Sequence, residues 1–106
     1  MMEYTLHDFN PETASNGAQG LEKMKTNYYF IILLDVIMPL MDGIECLKRL
    51  RKWEKDFNRK RQFIVILSAN HIEENLDYDL QLQKPVSYKT LINTVTNRFK
   101  SYTEQS

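Results

Sequence analysis

Two short apolar runs constrain this chain more than any other feature: YFIILLD at 29–35 and FIVILSA at 63–69. Both are continuous rather than alternating and rich in branched residues, as strands covered on both faces require. Between them, MDGIECLKRLRKWEKDF places Ile44, Leu47, Leu50, Trp53 and Phe57 at near-helical spacing with charges in between. A strand, a helix and a second strand in that order make a right-handed βαβ unit with the strands parallel. LQLQK at 80–84 alternates and suits an edge strand. The pattern predicts an α/β layered domain.

The flanks extend the alternation. ASNGAQGLEKMK predicts a short helix that uses Ala18, Leu21 and Met24, with Asn16-Gly17 at its start. PVSYKTLINTVTNRFKSY predicts a last helix capped by Ser87, its apolar face formed by Leu91, Ile92, Val95 and Phe99. The opening EYTLHDF suits a helical turn or a strand equally. A length of 106 residues without repeats or an obvious linker points to a single domain.

The longest apolar stretch, Tyr28 to Leu34, is too short to cross a bilayer, and no membrane contact is expected. The N-terminus lacks the basic flank and apolar core of a secretion signal. One cysteine, Cys46, can form no intrachain disulfide, so a reducing, cytoplasmic setting is the simplest reading.

Charge is unevenly spread although the net is zero. Residues 1–47 carry seven acids and two bases, whereas residues 48–61 carry eight bases and two acids. A block of this kind is usually a solvated helix face and loop. Its aromatics, Trp53 and Phe57, suit a core face rather than base stacking, so nucleic acid is not an expected partner.

In an open parallel sheet, ligands collect at the carboxyl ends of the strands. The three predicted strands end in or near Asp35, Ser68 and Lys84: a carboxylate, a hydroxyl and an ammonium. An ionised carboxylate is costly to bury, which places Asp35 at an edge that water, a cation or a partner can reach. A carboxylate can attack phosphorus, while a hydroxyl and an ammonium beside it can hold the transferred oxyanion. Singly, each residue has a blander use. Asp35 or Ser68 could cap a following turn, and Lys84 could be a surface lysine before a helix-opening proline.

LLDVIMPLMDG, ILSAN and LQLQKPVS, in that order, resemble the receiver domains of two-component response regulators. Pro39 follows Asp35 by four residues, Asp42-Gly43 open the next helix, Ala69 follows Ser68, and Lys84 precedes Pro85. TASNGAQGLEKM resembles the family's second helix and the turn before it. The resemblance runs from about residue 10 to the C-terminus. It implies a flavodoxin-like, CheY-like doubly wound parallel sheet and a phosphorelay function. Asp35 would be the phosphoacceptor, Lys84 its counter-ion and Ser68 a ligand of the phosphoryl oxygens. Asp35 and the backbone carbonyl of Ile37 would be ligands of Mg²⁺. The partner would be a histidine kinase or a histidine phosphotransfer protein. Such a domain is a phosphoacceptor rather than a turnover enzyme, at most catalysing its own phosphorylation and dephosphorylation.

The pattern departs from the family in three places. The usual first strand and its terminal pair of acids have no counterpart. MMEYTLHDF looks like the second half of the first helix and NPETAS like the second strand. Asp8 and Glu12, the nearby acids, end no apolar run. A fold truncated at the N-terminus would leave a gap beside FIILLD, to be closed by direct strand pairing, by a homodimer or by a strand-donating partner. Mg²⁺ would then be held weakly by one carboxylate. ANHIEENLDYDLQLQ is short, so the fourth helix should be reduced or lost. Gln81 stands where the family commonly has an aromatic, for which Tyr78 is a substitute at a different position. EKDFNRKRQ, before the fourth strand of the family, looks extended. No output domain is expected after the last helix. Two functions follow: a phosphoryl-accepting receiver of reduced competence, or a phosphorylation-incompetent pseudo-receiver that acts as an interaction or dimerisation module.

Overall fold

The computed structural model describes residues 16–37, 42–69 and 75–104. Helix α1 (Gly17–Thr26) leads to strand β1 (Ile32–Asp35), helix α2 (Gly43–Asp56), strand β2 (Ile64–Ser68), strand β3 (Leu80–Gln83) and helix α3 (Tyr88–Glu104). The strands form one parallel sheet in the order β1-β2-β3. This is the flavodoxin-like α/β arrangement expected from the sequence. The readings of MMEYTLHDF and NPETAS, the missing first strand, the gap it would leave, Asp8 and Glu12 all fall outside the described residues.

Each helix begins where the sequence supplies a side-chain acceptor for its orphan N–H groups. Asn16 accepts from Gln19 N at 2.8 Å, Asp42 from Glu45 N at 2.8 Å, and Ser87 Oγ from Thr90 N at 3.1 Å. Helix α2 ends in a Schellman motif. Arg59 N donates to Glu54 O and Asn58 N to Lys55 O, and Asn58 takes the left-handed conformation (φ 51°) that the motif requires.

Alternation along β2 sorts its side chains between two layers. Ile64 and Ile66 join Leu34 of β1 beneath α1 and α2, which contribute Leu21, Met24, Cys46, Leu47 and Leu50. Leu50 and Ile64 are wholly sealed from solvent, and a leucine or isoleucine buried this fully contributes about 1.5–3 kcal/mol. Phe63 and Val65 face the opposite side, which α3 covers. There the Arg98 guanidinium stacks 4.5 Å from the Phe63 ring centroid, and Phe99 meets Phe30 edge-on at 6.0 Å.

Three sequence expectations need correction. Ala18 of α1 is exposed, while Leu21 and Met24 of its expected face are buried. The first apolar run enters the sheet at Ile32 rather than Tyr29, because side chains hold the preceding backbone. Gln62 Oε1 accepts from Tyr29 N, and Arg98 Nε donates to Phe30 O. Phe57 is not a core residue: the Schellman motif turns the chain at this point, leaving the ring 66% exposed. The expected reduction of the helix after Ser68 agrees with residues 75–79, which form no helix; residues 70–74 lie outside the described set.

Candidate functional site

The sheet register builds a staircase at its carboxyl end. Asp35 is level with Leu67 on β2, and Ser68, one step on, is level with Gln83 on β3. Lys84 is the next residue, and its N–H donates to the Ser68 carbonyl at 2.8 Å. Three polar residues predicted from the sequence thus end three adjacent strands. Lys84 Nζ reaches across to Asp35 Oδ2 at 2.7 Å, with both side chains little more than one-third exposed. The other carboxylate oxygen, Oδ1, accepts from Ile37 N at 3.0 Å. Ser68 is buried at the end of β2.

The sequence after Asp35 has a steric reason. Helix α2 starts hard against the end of β1, where Gly43 N donates to Val36 O at 2.9 Å. A Cβ on Gly43 would collide with the carbonyl oxygen of Asp35 and lie 2.9 Å from Val36 Cα. Glycine here lets the helix meet the strand end that carries the carboxylate. On the other side of the site, Leu67, Ala69, Lys84, Pro85, Val86 and Leu91 line an open cleft of about 560 Å³.

This geometry offers a nucleophilic oxygen, a cation already in contact with it and a hydroxyl-bearing residue one strand away. A charge-assisted hydrogen bond of 2.7 Å is strong and directional. It holds the ammonium directly against one oxygen of the carboxylate at the end of β1.

The metal reading fares less well. Mg²⁺ requires a near-octahedral oxygen shell, usually from more than one carboxylate or from substrate phosphates. Asp35 is a single carboxylate with both oxygens engaged, and no cluster of three acidic, histidine or cysteine side chains exists among the described residues. Ile37 is exposed just beyond it. The donors described do not by themselves fit a Mg²⁺ site.

The chain matches the family model described as "Response regulator receiver domain" over residues 2–96. The chain belongs to this family. Its receiver is 33% identical over 95 residues to hybrid signal transduction histidine kinase M of Dictyostelium discoideum, covering 82% of this chain and 4% of that protein. It is 33% identical over 96 residues to the response regulator ArlR of Staphylococcus aureus, covering 86% of this chain and 42% of that one. Among solved structures, the Francisella response regulator 1452 receiver domain superposes with a TM-score of 0.69 at 36% identity, covering 84% of this chain and 74% of that chain. The receiver of the Pseudomonas aeruginosa sensor histidine kinase PA1611, solved with magnesium in its active-site cleft, gives 0.66 at 22%, covering 79% and 71%. The Saccharomyces cerevisiae Ssk1 receiver, solved with the histidine phosphotransfer protein Ypd1, gives 0.72 at 24%, covering 80% and 68%. The chain therefore spans under half the length of these two curated relatives. Receiver domains are signalling domains of two-component and phosphorelay systems.

Sequence reasoning missed a second polar centre at the opposite, amino-terminal end of the sheet. Arg51 donates to Glu54 Oε1, Gln62 O, Asp77 O and Asp79 Oδ2 at 2.8–3.2 Å, with its side chain 11% exposed. Glu54 Oε2 accepts from Gln62 N, and Gln62 Nε2 donates to Met24 O. These bonds tie α1, α2 and the loop before β2 together. The network also neutralises much of the basic block. Arg49 pairs with Glu45, Lys52 with Asp56, and Arg61 with Asp77 and Asp79. Arg49, Arg51, Lys52 and Arg61 are thus matched by carboxylates among the described residues, which weakens the case for a nucleic-acid surface. Tyr78 packs against the core, and its hydroxyl donates to Gln81 Oε1 at 3.3 Å. No helix among the described residues is long and apolar enough to cross a membrane.

Proposed function

We propose that this receiver accepts a phosphoryl group on Asp35 from a phosphohistidine of a histidine kinase or histidine phosphotransfer protein, in the cytoplasm. A carboxylate oxygen of Asp35 attacks phosphorus and forms an acyl phosphate. The phosphorus–nitrogen bond breaks, and its electron pair returns to the imidazole of the donor. Lys84 balances the charge on the phosphoryl oxygens, and Ser68, at the neighbouring strand end, supplies a hydroxyl for one of them. The observation that carries this reading is the 2.7 Å contact between Lys84 Nζ and Asp35 Oδ2. The hybrid-kinase relative and the Ssk1 receiver solved with its phosphotransfer protein support the class of donor.

The engagement of both Asp35 oxygens and the absence, among the described residues, of a cluster of three metal-ligating side chains favour reduced competence. At the limit, the same observation supports a pseudo-receiver that binds partners or its own copy without being phosphorylated. Intact mass after incubation with a small acyl-phosphate donor and Mg²⁺ separates the two. A phosphoryl gain that Asp35→Asn abolishes supports the receiver. A folded sample that gains no mass leaves the interaction module.

A further inference from the structure

The loop after α2 carries a surface that the phosphoryl chemistry does not use. Phe57 is 66% exposed, and Tyr28 is exposed beside the same loop, its hydroxyl donating to Arg61 O at 3.3 Å. The Schellman motif sets the backbone at Phe57, and the Trp53 ring lies at a centroid distance of 6.2 Å. The cations here lie against rings. The Arg59 guanidinium is 5.5 Å from the Trp53 centroid, and Lys60 Nζ is 4.9 Å from the Tyr28 centroid. Lys55 and Arg59 form no ion pair among the described residues. The carboxylates nearby, Glu54, Asp56, Asp77 and Asp79, are already taken by Arg51, Lys52 and Arg61. The result is an exposed apolar ring near two cations, Lys55 and Arg59, that no carboxylate of the described residues pairs with.

We propose that Tyr28, Phe57, Lys55 and Arg59 form a docking site for an acidic protein segment bearing an apolar side chain. Charge complementarity selects the acidic character, and the exposed rings select the apolar anchor. A short segment fits better than a globular face, because a stable globular interface takes roughly 20–30 residues on each side. It also fits better than nucleic acid. The 42° tilt between Trp53 and Phe57 offers no flat platform for successive bases. The site lies at the amino-terminal end of the sheet, opposite Asp35. It therefore anchors a partner without covering the carboxylate.

The test titrates the full chain with a fluorescein-labelled synthetic peptide of alternating glutamate and phenylalanine, read by anisotropy and by amide chemical shifts. Saturable binding is expected, with shifts centred on Tyr28 and residues 57–60. Phe57→Ser and Arg59→Glu should each weaken it about tenfold while leaving the chain folded and Asp35 equally able or unable to gain a phosphoryl group. A peptide with serine in place of phenylalanine should bind at least as weakly as the Phe57→Ser variant binds the original. Equal binding of the two peptides would reduce the effect to bulk charge and overturn the proposal. So would equally tight binding of a duplex DNA, shifts centred elsewhere, occupation of the patch by a second copy of the chain, or no saturable binding.

Discussion

Lys84 Nζ and Asp35 Oδ2 stand 2.7 Å apart although Asp35 ends β1 and Lys84 follows β3, two strands that do not pair. Strand β2 lies between β1 and β3, so the pair bridges the sheet above the end of its central strand. Both side chains are partly exposed, which limits the pair's contribution to stability to about 0–1 kcal/mol. Its arrangement is better explained by what the two groups can do together than by what they add to the fold.

Lys84→Ala should therefore separate function from stability. Denaturant unfolding is expected to shift by no more than about 1 kcal/mol. If Asp35 takes a phosphoryl group, the extent of modification by a small acyl-phosphate donor should fall at least about tenfold, because one charge-stabilising interaction is worth that much or more. Intact mass at matched times reads the second effect. A variant that is phosphorylated normally would remove Lys84 from the site.

Gly43→Ala should damage the same site from the other side. The new methyl group would meet the Asp35 carbonyl and Val36 Cα, both backbone atoms with little room to yield. Overpacking of this kind costs about 1–3 kcal/mol. The denaturation midpoint should drop accordingly, and the backbone amide signals of Asp35, Val36 and Ile37 should move most. Signals displaced chiefly elsewhere would mean that α2 swings away as a body.

Much of this arrangement was legible in the residue pattern. The two apolar runs, the amphipathic helix between them and the order of Asp35, Ser68 and Lys84 specify a parallel sheet with polar strand ends. Three caps, at Asn16, Asp42 and Ser87, could be read from local chemistry because an N-cap depends only on a few consecutive residues. What escaped were features that depend on tertiary partners. Phe57 continues the apolar spacing of α2, yet the chain turns before its ring reaches the core. Glu54 reads as one more charge on a solvated face, but Arg51 and Gln62 draw it inside. Tyr29 and Phe30 look like strand residues, whereas Gln62 and Arg98, far off in sequence, bond to their backbone.

The Arg51 network predicts an asymmetry between single and double substitutions. Arg51→Ala leaves the buried Glu54 carboxylate without its cation and should cost about 3–5 kcal/mol. Replacing both Arg51 and Glu54 by methionine should cost less than Arg51→Ala alone, since no uncompensated charge then remains inside. Unfolding by urea, read by circular dichroism, gives both values. A double variant less stable than the single would show that the hydrogen bonds to Gln62 matter more than the ion pair.

At Asn58 the backbone conformation sets the expectation. Its φ of 51° lies where a branched side chain is penalised by roughly 1–2 kcal/mol. Asn58→Val should lower stability by about that amount, whereas Asn58→Gly should be neutral or slightly stabilising. Comparable losses in both variants would point to a role for the asparagine side chain itself.

Cys46 gives the chain a predictable weakness at high pH. The thiol is fully buried, with Sγ 3.7 Å from Gly17 O. Burial, and then the neighbouring Asp42 charge, push its pKa up to about 11. In the unfolded chain the thiol ionises near its ordinary value of about 8.5. Between these values the unfolded state binds fewer protons than the folded one, so stability falls as pH rises. The contribution is fully present below about pH 8.5 and is lost as pH approaches about 11. The comparison is with Cys46→Ala, which keeps every other titratable group and lacks the thiol. The unfolding midpoint of the parent should decline more steeply than that of the variant from about pH 8.5 upward. Near neutrality, the parent thiol should resist alkylation until the protein unfolds. Parallel pH profiles for parent and variant would mean that the unfolded chain also holds this proton, or that the folded site admits water.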